Sequence, residues 1–353
     1  MRRFIFLLIS LLCASFISCS RGEDILEEYI FEIERTDSVN NYKKNTNQND
    51  SSTSDKPTTD TIKINKPSTD STDNSASIEK DTIYVSYVKY MTLSPSTNSV
   101  QGAACYDKYL FQGYGGNSRF EIYNLETKEH LGKIDISDPK PNSNIHANSL
   151  CFGNQRVSPD DFFPVLYVSS GYTTNIDGYH CSYIYVYQIL KDDNEIFSAN
   201  LVQTITLEFT SWTEGIPDND NNLLWIKYQP NGTYAYASFK MPIVEDGDVT
   251  LTESDIIRSF SFVQPFKSSN QGHIYHDNKI LLVSGGSNPN TEKQAFIIIN
   301  TLTEKQELVV DLNEIGLRGE PESIFFYKES LMIGYINRIY KFIIHNSSGE
   351  KLI

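Results

Sequence analysis

The pattern of apolar and polar residues changes twice along the chain. An apolar run covers residues 4–17, and a long polar segment follows at about residues 36–80. From about residue 81 to the C terminus, short runs rich in Val, Ile, Tyr and Phe alternate with Gly, Asn, Asp and Pro. No stretch of this last part keeps a helical period, so the pattern predicts an all-β domain over residues 81–353.

Within this domain one pattern recurs five times. Each copy starts with a polar residue, passes through a short strand and a turn, and continues with a strongly apolar strand, as in QGAACYDKYLFQGYGG and QGHIYHDNKILLVSGG. The copies begin at Gln101, His146, Glu214, Gln271 and Glu320. These spacings are those of four-stranded propeller blades with insertions, so the repeat predicts a single β-propeller of five blades. The third copy is the least regular, so a sixth blade within residues 209–266 is kept as an alternative.

The two ends of the domain complete each other. The fifth copy supplies only three strands before the chain ends, whereas the strand-like segment DTIYVSYVKYMTL at residues 81–93 precedes the first copy without a place of its own. We expect this N-terminal strand to pair with the last blade and close the ring. Closure of this kind leaves no sheet edge bare between the first and last blades.

These features resemble a known kind of protein. The Gln-Gly and Glu-Pro-Glu openings and the LYV-type second strands resemble bacterial membrane-anchored lipoproteins with a TolB-like or TagC-like β-propeller domain. The resemblance covers most of residues 81–353 and implies the propeller architecture. Because propellers host hydrolases, lyases, lectin-like binders and scaffolds, it carries over no catalytic residue.

The N terminus predicts a location. A short cationic head, the apolar run and Ser18 come before Cys19 in the order of a lipoprotein signal peptide, which would cover residues 1–18 and leave Cys19 lipidated. Phe16 departs from the leucine usual three residues before the cysteine, so simple secretory cleavage is the alternative. Ser20 instead of Asp favours the outer membrane. We therefore expect a cell-envelope protein held on the lipid bilayer by its acylated N terminus.

A spacer separates the predicted anchor from the propeller. A short leader covers residues 19–35, and residues 36–80 are dominated by Asn, Ser, Thr, Asp and Lys with almost no large apolar side chain. Such a segment cannot bury enough apolar area to offset its conformational entropy. It is therefore predicted to be a disordered tether, with a root-mean-square span of roughly 35–40 Å.

The charge of the chain excludes one class of partner. The formal net charge is −15, and loss of the two arginines of the signal peptide makes the mature chain still more acidic. No basic stripe reverses this charge locally. Because the phosphate backbone is anionic, we expect no nucleic-acid partner.

The inner strands of the repeats point to a candidate site. The innermost strand of each blade lines the central channel, and alternate residues of a strand share one side. The first and third residues of the copies are mostly polar, which predicts a ligand site at the mouth of the channel. Its members are Gln101, His146, Asn148, Glu214, Gln271, His273, Glu320 and Glu322. The alternative is a water-filled channel whose polar side chains bond only to water and strand ends.

Two pairs of residues within this set could act in catalysis or bind a cation. Glu320 and Glu322 on one strand face raise each other's pKa unless a cation or a donor lies between them, which suits a general acid or a divalent cation. His146 and His273 are candidate bases or ligands. The sequence predicts no cofactor. Whether a divalent cation binds in the channel is a question that the sequence leaves open. The chain contains no G-x-S-x-G, H-E-x-x-H or C-x-x-C motif.

These observations favour one hypothesis and leave a second. The leading hypothesis is a membrane-tethered lipoprotein propeller that acts as a non-enzymatic binding or scaffold module, with a glycan, a peptide or an envelope protein as its partner. The alternative is a carbohydrate-active enzyme, a lyase or a hydrolase, that uses the carboxylates and histidines of the channel mouth.

Overall fold

The computed structural model describes most of the predicted domain and little of what precedes it. The described residues are 32–33, 63–65, 82–94, 100–115, 119–136, 145–169, 174–176, 179–210, 214–263, 270–286, 293–346 and 348–353. The predicted signal peptide and Cys19 lie outside them. Of the predicted leader and tether, two short strands are described, β1 (Glu32–Ile33) and β2 (Lys63–Asn65). A strand within the predicted tether was not expected from its composition.

The described part of the domain is almost entirely β-structure. Its strands in chain order are β3 Thr82–Thr92, β4 Val100–Tyr106, β5 Tyr109–Tyr114, β6 Arg119–Asn124, β7 Glu129–Asp135, β8 Leu150–Phe152, β9 Leu166–Ser169, β10 Thr174–Ile176, β11 Tyr179–Lys191, β12 Phe197–Leu207, β13 Glu214–Asp218, β14 Leu223–Tyr228, β15 Ala235–Lys240, β16 Val249–Leu251, β17 Arg258–Ser261, β18 Asn270–His276, β19 Lys279–Ser284, β20 Ala295–Asn300, β21 Lys305–Asp311, β22 Pro321–Tyr327, β23 Ser330–Tyr335 and β24 Arg338–Asn346. Three short 3₁₀-helices cover Pro230–Gly232, Val244–Asp246 and Glu253–Asp255. No helix in the described ranges is long and apolar enough to cross a membrane.

The strands form five sheets, which are the five blades of a β-propeller. Blade 1 contains β4 to β7, blade 2 contains β8, β9, β11 and β12, and blade 3 contains β13, β14, β15 and β17. Blade 4 contains β18 to β21, and blade 5 contains β22, β23, β24 and β3. The irregular third copy thus supplies blade 3 and also β16, which pairs with β12 in blade 2. The prediction of five blades is confirmed, and the described residues between 209 and 266 do not form a sixth.

The ring closes as the sequence predicts. Strand β3 pairs antiparallel with β24, in a register that runs from Ile83 opposite Asn346 to Thr92 opposite Arg338. The N-terminal strand therefore completes blade 5, and the start and the end of the domain are held in one sheet. Strand β2 continues this sheet outward against β3, and β1 pairs with β2.

Tight turns join the inner two strands of several blades. Asp277 and Asn278 in blade 4, and Lys328 and Glu329 in blade 5, all have positive φ. Two consecutive residues with positive φ form the turn whose twist matches a two-residue hairpin. In blade 3 the connection is the longer turn that follows Asp218, as its Asn- and Asp-rich sequence indicates.

The glycines of the repeat openings mark close contacts between inner strands. A Cβ atom on Gly102 would lie 2.7 Å from the carbonyl oxygen of Asn148, and its N–H donates to the Ala147 carbonyl at 2.9 Å. A Cβ on Gly272 would lie 2.6 Å from the Cα of Ser323. Because real Cβ atoms do not approach backbone so closely, only glycine fits at these two positions. The second residue of these copies therefore faces the neighbouring blade.

The hydrophobic core is divided among the blade interfaces. Among the described residues five apolar clusters lie between neighbouring blades, and the cluster of blades 3 and 4 also includes Cys151 of blade 2. At the interface of blades 1 and 2, for example, the rings of Phe111 and Phe163 meet edge to face at 5.3 Å. Full burial of such a side chain contributes roughly 1.5–3 kcal/mol. The blades therefore depend on one another for their cores, which makes the inner strands a fixed frame for the channel.

The antiparallel order of the strands defines two ends of the propeller. All five inner strands begin at one end, which we call the mouth end, and their first hairpins lie at the other, which we call the far end. Gln101 and Glu214 are at the mouth end, whereas Asp218 and Asn278 are at the far end.

Candidate functional site

The predicted site residues differ in their exposure to solvent. Gln101, His146 and Glu320 are half-buried. Five others are buried, namely Asn148, Glu214, Gln271, His273 and Glu322. The three half-buried residues belong to blades 1, 2 and 5, which are neighbours in the ring. We call these three side chains the mouth arc.

The buried residue that sequence reasoning missed is Lys227. It lies on β14 directly opposite Glu214 on β13, and its Nζ is 2.5 Å from the Glu214 Oε2. The two side chains are 2% and 0% exposed. A lysine within the apolar run LLWIKY, at a position that pairs with a channel glutamate, was the available signal.

A second contact to Glu214 comes from blade 4. The Nδ1 atom of His273 is 3.5 Å from the Glu214 Oε2, and the hydroxyl oxygen of Tyr236 is 3.4 Å from the same Nδ1. Burial, together with the charge of Lys227, holds the pKa of His273 well below its ordinary value. The neutral form of the imidazole is therefore favoured. Its Nε2 atom is buried without a hydrogen-bond partner in the described part of the chain.

Blade 2 links this buried pair to the mouth. The Asn148 Nδ2 donates to the Glu214 Oε1 at 3.4 Å, and the Asn148 Oδ1 accepts a hydrogen bond from the Nδ1 of His146. His146 is therefore oriented by a chain of contacts that ends at the buried Glu214 carboxylate. We call Asn148, Glu214, Lys227, Tyr236 and His273 the ion-pair group.

Blade 5 contributes two neighbouring carboxyl groups, Glu320 and Glu322, which we call the carboxyl pair. The Gln271 Nε2 donates to the Glu320 Oε1 at 2.9 Å. Glu322 is 5% exposed, and burial and the neighbouring Glu320 raise its pKa well above the ordinary value. The raised pKa favours the protonated form of Glu322. The Glu322 Oε2 is buried without a hydrogen-bond partner among the described residues.

The end of β5 packs closely against two side chains of the mouth arc. A Cβ atom on Gly115, which follows β5 at the mouth end, would lie 3.2 Å from the Gln101 Cγ and 3.4 Å from the His146 ring. Glycine at this position therefore lets the two side chains lie against the end of β5. The eight predicted residues thus belong to the mouth arc, the ion-pair group and the carboxyl pair, or contact them. Asn148 contacts His146 of the arc, and Gln271 contacts Glu320 of the arc.

The described side chains do not form a ready metal centre. No group of three or more His, Cys, Asp or Glu residues within the described ranges is arranged to hold a metal ion. The divalent cation considered from the sequence stays a prediction. Cys105, Cys151 and Cys181 are all free thiols, and Cys151 and Cys181 are buried.

The fold and the channel define a class: the chain contains a five-bladed β-propeller whose central channel is filled with polar side chains. Neither a protein-family model nor a curated protein sequence matches it. Several solved structures resemble it. Myxococcus xanthus glutaminyl cyclase is 12% identical with a TM-score of 0.43, over 74% of this chain and 97% of that one. Streptogramin B lyase is 10% identical with a TM-score of 0.38, over 74% and 98%.

A third similar structure is Kuenenia stuttgartiensis hydrazine synthase. It is 11% identical with a TM-score of 0.36, and the matched part covers 67% of this chain and 61% of the hydrazine synthase chain. Similarities this distant carry no argument about activity. The function has to be inferred from the channel itself.

Proposed function

We propose that this protein is an envelope lipoprotein whose propeller binds a hydroxyl-rich ligand, such as a glycan end, at the mouth arc without converting it. The observation that carries the proposal is the division of the channel. The deeper polar residues are buried against one another, whereas an amide, an imidazole and a carboxylate from three adjacent blades stay half-exposed at one end. These three groups together donate and accept hydrogen bonds, as recognition of vicinal hydroxyls requires.

The arc is supported from below, which favours binding. His146 is held by Asn148, and Glu320 is held by Gln271, so two of the three groups keep their orientation before a ligand arrives. Fixed polar groups lose less conformational entropy on binding than mobile ones. A net charge of −15 further favours neutral or cationic ligands over anionic ones.

The binding experiment is a screen of neutral oligosaccharides against the full chain, by melting shift and then by calorimetry. A ligand that binds the folded state raises the melting temperature by mass action. We expect the affinity of any hit to fall about tenfold or more in Gln101→Ala and Glu320→Gln, because each removes a hydrogen bond to a bound polar group. The matched control is Glu304→Gln, an exposed carboxyl at the far end. An affinity that is equal in all three variants would rule out the arc.

The anchor is tested separately. Incorporation of labelled fatty acid into the full chain should be lost in Cys19→Ala. Labelling that persists in this variant, or that never occurs, would remove the anchor from the proposal and leave the binding site untouched.

A second candidate function rests on the carboxyl pair. A protonated Glu322 near Glu320 supplies an acid and a potential base, and glycosidases use two carboxyl groups in such roles. In that case the ligand of the arc is a substrate, and the protein is a lyase or a hydrolase. Glu322→Gln should then abolish turnover while binding persists. Product formed at the normal rate by this variant would exclude the enzymatic function.

A further inference from the structure

A second cleft lies at the far end of the propeller, away from the mouth arc. It has a volume of about 380 Å³ and opens between blades 3 and 4. The walls come from the first hairpins of both blades, the start of β17 and the turn after β20. The residues that matter for its chemistry are Asp218, Trp225, Ile257, Arg258, Tyr275 and Leu302. The volume is in the range of small-molecule sites.

The Asp218 carboxylate in the cleft already accepts several hydrogen bonds. The carboxylate of Asp218 is buried and accepts hydrogen bonds from the backbone N–H of Asn221 at 3.0 Å and from its Nδ2, also at 3.0 Å. The Trp225 Nε1 is 3.4 Å from the same carboxylate. These donors hold the Asp218 carboxylate against its own blade.

The Arg258 guanidinium in the cleft does not have hydrogen bonds of this kind. The Arg258 guanidinium lies over the Trp225 ring, 5.1 Å from its centre, and makes no hydrogen bond to another described residue. Its nearest carboxylate is Glu304, with 3.9 Å between Nε and Oε1. An ion pair this long and this exposed contributes little. Arg258 therefore keeps its planar donors available, and stacking on Trp225 fixes the plane in which they point.

Apolar side chains flank this guanidinium. Ile257 is 60% exposed and Leu302 is 65% exposed, and both line the cleft. Exposed aliphatic side chains that line a pocket mark a place where an apolar group can be bound. The cleft thus combines one oriented cation with two apolar walls.

We propose that this cleft binds a small aromatic carboxylate, with the carboxylate on the Arg258 guanidinium and the ring between Ile257 and Leu302. The guanidinium fork matches a carboxylate in two parallel hydrogen bonds. A planar ring can also stack on the face of Arg258 that is turned away from Trp225. The site is independent of the mouth arc, because it lies at the opposite end of the inner strands.

The test uses the full chain, with benzoate as the probe and benzylamine as the probe of opposite charge. The chain contains two tryptophans, so Trp212→Phe leaves Trp225 as the single fluorescent reporter next to Arg258. We expect saturable quenching and a melting shift with benzoate and neither with benzylamine. Benzoate that does not bind, or benzylamine that binds as well, would overturn the proposal.

Three variants locate the site. Arg258→Gln should weaken benzoate binding about tenfold or more, since a hydrogen bond to a charged group is lost. Leu302→Ser should weaken it a few-fold through lost apolar contact. Arg338→Gln, which removes an exposed arginine at the mouth end, is the matched control and should leave binding unchanged.

Glu304→Gln gives a result in the opposite direction. It removes the carboxylate that competes for Arg258, so benzoate should bind a few-fold more tightly, and the gain should shrink at high salt. This variant keeps the proposal testable even if Arg258→Gln does not fold. Affinity that stays the same or falls in Glu304→Gln, with normal folding, would show that Arg258 does not hold the ligand.

Discussion

The ion-pair group and the carboxyl pair occupy the same channel, but they stabilise their buried carboxyl groups in different ways. In the ion-pair group the Glu214 carboxylate is matched by Lys227 at 2.5 Å, so both side chains can stay charged although neither is accessible. In the carboxyl pair the described residues place no cation against Glu322, and burial and the neighbouring Glu320 raise its pKa well above the ordinary value. One arrangement compensates a charge, and the other removes it by protonation.

This difference has a functional consequence. A compensated ion pair at the centre of the blades fixes the inner strands of blades 3 and 4 relative to blade 2. A protonated carboxyl beside an accessible one can instead give or take a proton. Structural rigidity is therefore expected from the first group, and any chemistry or ligand-linked protonation from the second.

The largest effect is expected when the buried ion pair is broken. Lys227→Met leaves the Glu214 carboxylate buried without its cation, which should lower the free energy of unfolding by about 3–5 kcal/mol. Urea denaturation measures the change. The double variant Glu214→Gln with Lys227→Met should recover much of the loss, because no uncompensated charge is left.

Lys328→Met serves as the control for this prediction. It breaks the exposed ion pair with Glu126 at the far end, and it should alter stability far less. Equal losses in Lys227→Met and Lys328→Met would mean that the central pair is not sealed from solvent.

The next effect concerns the carboxyl pair and depends on pH. Because the pKa of Glu322 is raised in the folded chain, the unfolded chain ionises first as the pH rises above about 4.5. Wild-type stability should therefore decline from that pH up to the folded pKa, by about 1.4 kcal/mol per pH unit at most. Glu322→Gln removes this decline, so the variant should gain on the wild type as the pH rises. A difference that is constant from pH 4 to pH 8 would contradict the raised pKa.

The ion-pair group should respond to pH in the opposite direction. The pKa of His273 is held well below 6.5 in the folded chain, so the unfolded chain takes up a proton first as the pH falls. The stability due to the neutral imidazole is present above about pH 6.5 and is lost on acidification, again by at most about 1.4 kcal/mol per pH unit. His273→Gln should remove this loss. Unfolding curves at several pH values between 5 and 8 provide the measurement, and a steeper loss in the variant would refute the assignment.

The smallest effect is expected at the edge of the ion-pair group. The Tyr236 hydroxyl is buried and lies 3.4 Å from the His273 Nδ1, which is a long contact. Tyr236→Phe should therefore lower the free energy of unfolding by about 0.5–1.5 kcal/mol or less. A loss as large as that of Lys227→Met would show that the hydroxyl, and not the lysine, holds the group together.

Much of the architecture could be predicted because it is written in local patterns. The five polar openings, the glycine that follows three of them and the spare strand at residues 81–93 are enough to give five blades and their closure. Each depends on alternation along one strand or on the count of strands. The supply of β16 from the third copy to blade 2 could not be predicted, since it pairs strands that are far apart in the chain.

The candidate site was predictable only in part. The first and third residues of the copies mark polar side chains on or next to the inner strands. They do not tell which are buried, and Lys227 was missed because it lies on a second strand within an apolar run. Its role depends on the register of β13 and β14, which sets it opposite Glu214.

The sequence by itself determined the all-β class, the number of repeats and the polar character of the channel, because strand periodicity and turn chemistry are local properties. Only the tertiary structure decided how the polar residues are divided. The distance between Glu214 and Lys227, the burial of Glu322 and the position of the Arg258 guanidinium over Trp225 all arise where different strands or blades meet. Burial and pairing depend on such contacts, and these fix which groups are charged and which can meet a ligand.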